Sequence, residues 1–66
     1  RIPAHHHDTE NVGLVTQGEM HLTLQGLERA FRVGQWYHIP AATPHAARFD
    51  AATAIIEFWF DPTAGD

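Results

Sequence analysis

The stretch "GQWYHIPAATPHA", residues 34–46, decides the fold. Gly34 opens a turn, and the aromatic and β-branched run 35–39 reads as a strand. Pro40 stops that strand at its edge, because proline has no N–H to give to a β-ladder. A short loop then delivers His45, with Arg48 following on as an exposed strand residue.

Outward from this stretch the punctuation continues, and short segments with a period of two fill the spaces. In "GEMHLTL", Met20, Leu22 and Leu24 fall on one face, while Glu19, His21 and Thr23 fall on the other. In "ERAFRV", Ala30 and Arg32 oppose Phe31 and Val33. "NVGLVTQG" sets Val12 and Leu14 against Asn11, Gly13 and Val15. "AIIEFWF", residues 54–60, is apolar at nearly every position, so both of its faces should be covered. The pattern predicts six strands and no helix, with glycine turns at 17–18, 25–26 and 34–35. Short strands at regular spacing argue for an all-β sandwich or barrel, one domain spanning residues 1–66, with a frayed tail at "DPTAGD".

A chain of 66 residues buries only about 60% of its unfolded surface and needs support from elsewhere. With no cysteine, a disulfide or thiolate site is excluded, which leaves a histidine-bound metal or association with another chain. Four basic residues against eight acidic ones leave a formal charge of −4 and no basic stripe for nucleic acid. No apolar run reaches the length of a membrane span, and no signal-like segment is present. A cytoplasmic location is the expectation.

The chain begins "RIPAHHHDTEN". On an extended strand, His5 and His7 point to one face about 6.6 Å apart. Two imidazoles at that spacing can converge on a metal with bonds near 2.1 Å. Asn11 shares their parity, whereas His6 and Glu10 point the other way unless a bulge reverses them.

Taken together, these two segments resemble the paired motifs of cupins. The first cupin motif is His-x-His, three or four residues, Glu, six residues and Gly; here it reads His5, His7, Asn11 and Gly18. The second is Gly, five residues, Pro-x-Gly, two residues and His; here it reads Gly34, Pro40, Ala42 and His45. Residues 19–33 between them have the length of the family's hairpin, so the resemblance covers residues 5–60. Three positions depart from the pattern. Asn11 replaces the carboxylate, Ala42 replaces a glycine, and Phe49 stands where an asparagine is frequent. An amide is a poorer ligand than a carboxylate and cannot neutralise a divalent cation.

The resemblance implies a small double-stranded β-helix, or jelly-roll barrel. It further implies that His5, His7 and His45 form a three-histidine face for a divalent transition metal (Zn, Fe, Mn, Ni or Cu). Asn11, water or Glu10 would complete the shell. Such a site with open positions suits a metal-dependent enzyme, of dioxygenase or of isomerase and lyase type, acting on a small anionic metabolite. The alternative is a small-molecule binding or sensing module that holds a metal without catalysis.

Arg48, Phe49 and His38 are the candidate substrate contacts, and Glu57 is a remote candidate for a general base. The remaining aromatic side chains serve as core first, each contributing roughly 1.5–3 kcal/mol on full burial. Finally, "AIIEFWF" with the outward-facing Val12 and Leu14 suits the interface of a homodimer.

Overall fold

The computed structural model describes residues 9–61. Six strands follow one another: β1 (Glu10–Gln17), β2 (Glu19–Leu24), β3 (Leu27–Arg32), β4 (Trp36–Ile39), β5 (His45–Arg48) and β6 (Ala54–Phe60). No helix occurs among the described residues. The strands form two three-stranded sheets, ordered β4-β1-β6 and β3-β2-β5, and every pairing is antiparallel. This is the all-β sandwich of jelly-roll type expected from the sequence. Five of the strands fall on segments that alternation or apolar composition marks as strands. The sixth, β5, begins at His45 itself, where a loop is expected; the strand proposed around His5 and His7 lies outside the described residues.

The period of two in the sequence becomes the inside and outside of the sandwich. From β1, Asn11, Gly13 and Val15 turn inward, and from β2, Met20 and Leu22 do the same. With Phe31, Tyr37 and Ile39 they build a small core, onto which Leu24 and Ile55 pack. Phe31 and Tyr37 meet edge to face at 5.9 Å, a favoured aromatic geometry that ties the two sheets together.

Two glycines are required by their surroundings. Gly18 carries the chain from the first sheet to the second at φ 76°, a conformation that L side chains resist. A methyl there would also run into the Ala52 carbonyl and Thr53. Gly13 lies beneath the phenol ring of Tyr37, where no β-carbon fits. Ala42 takes φ 58° with no glycine to ease it. The turns at Gly26 and Gly34 also have positive φ, as their sequence positions suggest.

Among the described residues, no helix is long and apolar enough to cross a membrane.

Candidate functional site

The loop after β4 and the parity of three strands bring Asn11 and His45 to one pocket. Its wall is formed by Thr9 and Asn11 of the first segment, Ile39, Pro40, Ala42 and Thr43 around the proline turn, and His45, Glu57 and Trp59. The pocket has a volume of about 340 Å³, within the usual range for small-molecule sites. His45 reaches it because it pairs with Leu24, so it shares the inward parity of β2. Glu57 reaches it because its cross-strand partner is the inward Gly13, and Trp59 because its partner is Asn11.

Hydrogen bonds orient the two donors. His45 Nδ1 lies 3.0 Å from the Thr43 carbonyl oxygen. A carbonyl only accepts, so this contact selects, for the neutral ring, the tautomer with the proton on Nδ1 and the lone pair on Nε2. That is the arrangement in which metal-binding histidines are commonly held. Asn11, only 8% exposed, donates from Nδ2 to the Phe58 carbonyl at 3.1 Å. The other arm of the amide, Oδ1, is thereby left as an acceptor. Both side chains therefore suit a cation, through one imidazole nitrogen and one amide oxygen. Among the described residues, no group of three or more His, Cys, Asp or Glu side chains could hold a metal. His5 and His7, the other two expected ligands, lie outside the described residues.

Glu57 has a more definite position than its sequence context suggests. The Tyr37 ring crosses over Gly13, and its hydroxyl donates to Glu57 Oε1 at 2.8 Å. Burial, then the hydrogen bond to Glu57 and its negative charge, push the Tyr37 phenol well above its ordinary range. Tyr37 thus stays protonated and holds one oxygen of Glu57, the only carboxylate lining this pocket among the described residues. The signal in the sequence was available, since Glu57 is the single charged residue of "AIIEFWF" and has the same parity as Trp59.

The remaining expected residues go elsewhere. Glu10, considered as a substitute ligand, lies on the outer face and pairs with His38, with Oε1 and Nε2 2.7 Å apart. No bulge occurs at this point of β1, whose single register slip falls between Val15 and Gln17. His38, expected to contact substrate, is therefore engaged outside the sandwich, at the margin of a second cleft.

Arg48 pairs with His21, on the face of β5 opposite His45. Its guanidinium binds both Asp50 oxygens at 2.6 Å and Glu28 at 3.2 Å. That hydrogen bonding holds the Asp50 carboxyl below the usual carboxylate range. Arg48 thus serves an outer-face network together with His21, which is half-buried beside Glu19, Glu28 and Asp50 at 3.2–3.6 Å. Phe49 is half-exposed in the β5–β6 connection and lines neither cleft.

No curated protein and no solved structure matches the chain. A family model does, that of the cupin domain, over residues 1–59. With two antiparallel sheets in jelly-roll arrangement and a pocket where the two motif segments meet, the chain belongs to the cupin domain family.

Proposed function

We propose that the pocket between Asn11 and His45 binds a divalent transition metal and that the protein acts there on a small anionic metabolite. His5, His7 and His45 would supply imidazole nitrogens and Asn11 its amide oxygen. The observation that carries this reading is the pairing of His45 Nδ1 with the Thr43 carbonyl, which leaves Nε2 ready to coordinate inside a pocket shared with a buried amide. A bound metal of this kind supplies either Lewis-acid polarisation of a carbonyl, the basis of isomerase or lyase chemistry, or a centre for dioxygen chemistry.

The protein's own residues would do the rest. Glu57, fixed at Oε1 by Tyr37, keeps Oε2 available to accept or return a proton at the substrate. It also supplies the negative charge that Asn11 lacks. Trp59 and Ile39 give the substrate an apolar wall.

The test is elemental analysis after dialysis against metal-free buffer, followed by turnover assays with small keto and hydroxy acids. The expected result is about one metal per chain, lost in His45→Ala, and activity lost in Glu57→Gln with the metal retained. Metal retained by His45→Ala would refute the site. Bound metal and bound acid without any turnover would favour the non-catalytic binding module.

We further propose a homodimer built on the outer face of the β4-β1-β6 sheet. Trp36, Ile56, Phe58 and Phe60 are each about half exposed there, and Phe58 stacks on Phe60 at 6.5 Å. Half-exposed side chains of this size present roughly 100 Å² each. With Val12 and Leu14 beside them, they supply the apolar centre of an interface of about 800 Å² per partner.

A further inference from the structure

A second cleft opens between the edges of the two sheets, on the side where β3 lies across from β4. Its volume is about 440 Å³, and Leu22, Leu24, Leu27, Phe31 and Tyr37 make its walls. Arg29 and Gln25 are the polar side chains at its β3 margin. Tyr37 lines this cleft, while the Glu57 it binds lines the Asn11–His45 pocket, so the phenol ring stands between the two.

Arg29 is the informative residue. It pairs with the inward-facing Leu22 across β2 and β3, which turns it toward the cleft. Its guanidinium carbon lies 5.0 Å from the centroid of the Phe31 ring, a cation–π contact that holds the planar fork against the cleft wall. Arg32 pairs with Glu19, and Arg48 pairs with Asp50 and Glu28. Arg29 makes no ion pair among the described residues, in a chain with eight acidic residues against four basic ones. A guanidinium held on an aromatic face, with its N–H groups unclaimed by any carboxylate of the described residues, is suited to bidentate capture of an external anion. The leucines beside it favour an apolar body attached to that anion, and Leu27 at the margin is 74% exposed.

We propose that this cleft binds a small amphipathic monocarboxylate. Its apolar body lies against Leu22, Leu24, Phe31 and Tyr37, and its carboxylate pairs with Arg29. Arg29 is the one guanidinium among the described lining side chains, and His38 at the β4 margin is taken up by Glu10, so the cleft selects one anionic group rather than two. The site stands apart from the proposed metal pocket and does not depend on it.

The test titrates octanoate and octan-1-ol, which share an apolar body, into the parent protein, Arg29→Gln and Arg29→Lys by calorimetry. The parent should bind one octanoate per chain at least tenfold more tightly than octanol. Arg29→Gln should remove that preference while leaving octanol affinity unchanged, which also shows that the cleft is intact. Arg29→Lys should keep much of the preference.

Equal affinity for the two probes in the parent would overturn the proposal, as would octanoate binding that ignores Arg29→Gln. So would absence of octanoate binding, and sedimentation would then ask whether a second copy fills the cleft. A dimer mass that Leu27→Glu reduces to one chain would assign it to that copy.

Discussion

Replacing Gly13 with alanine tests the packing that joins core and pocket. Gly13 sits in register between Tyr37 on β4 and Glu57 on β6. The phenol passes directly over it to reach Glu57, and a β-carbon at Gly13 would overlap the ring. Tyr37 is only 3% exposed, so the ring has little room to yield. Overpacking of this kind costs about 1–3 kcal/mol. Displacing the ring also breaks its hydrogen bond to an exposed carboxylate, worth roughly 1 kcal/mol. Gly13→Ala should therefore lose about 2–4 kcal/mol, a large share of the ~3–5 kcal/mol that a core this small supplies. Urea unfolding followed by tryptophan fluorescence measures it, with the midpoint falling at unchanged slope. The decisive comparison is made in a Tyr37→Leu background, where the side chain no longer crosses Gly13. There the same methyl should cost less than about 1 kcal/mol, giving a coupling near 2 kcal/mol. Additive losses in the double variant, or a harmless Gly13→Ala, would refute the crossing-ring account.

Other perturbations give equally definite expectations. Ala42 holds φ 58°, so Ala42→Gly should relieve more strain than it adds in unfolded-chain entropy, with a net gain of about 0.5–1 kcal/mol and a thermal midpoint higher by roughly 3–6 °C. The Tyr37 phenol is raised above its unfolded value, so its contribution to stability is complete below about pH 10 and is lost as pH climbs beyond it. Because the chain has one tyrosine, its phenolate absorbance should appear only with alkaline unfolding, and Tyr37→Phe should flatten the fall in stability above about pH 10. Phe58→Glu, on the exposed outer face, should shift sedimentation from two chains to one without changing the far-ultraviolet circular dichroism; an unchanged mass would place any interface elsewhere.

Much of this architecture is legible from alternation alone. The parity of Asn11, Gly13 and Val15, and of Met20, Leu22 and Leu24, is the parity of the core, because a period of two leaves no freedom once one face is buried. The glycines at 18, 26 and 34 mark turns for the same local reason. Long-range geometry is less accessible. Arg48 and His45 are three residues apart, and strand alternation sends them to opposite faces, a consequence visible only once His45 is known to begin a strand. His38 faces outward because it alternates with the buried Tyr37 and Ile39, and there it meets Glu10, a partner 28 residues away that no local pattern announces. Glu57, in sequence only a remote candidate for a general base, and Arg29, an ordinary charge there, gain their positions from surroundings assembled by several strands. Ala42, which reads as a mild departure from a motif, proves to occupy the left-handed conformation that explains why glycine is favoured there.

The central claim is that His45 presents Nε2 to a metal in the pocket it shares with Asn11. Titration of metal-free protein with Co(II), read by visible absorption, tests it most directly. The parent should develop ligand-field bands that saturate at one equivalent per chain, and His45→Ala should develop none under the same conditions. Identical spectra and stoichiometry in the two proteins would contradict the account.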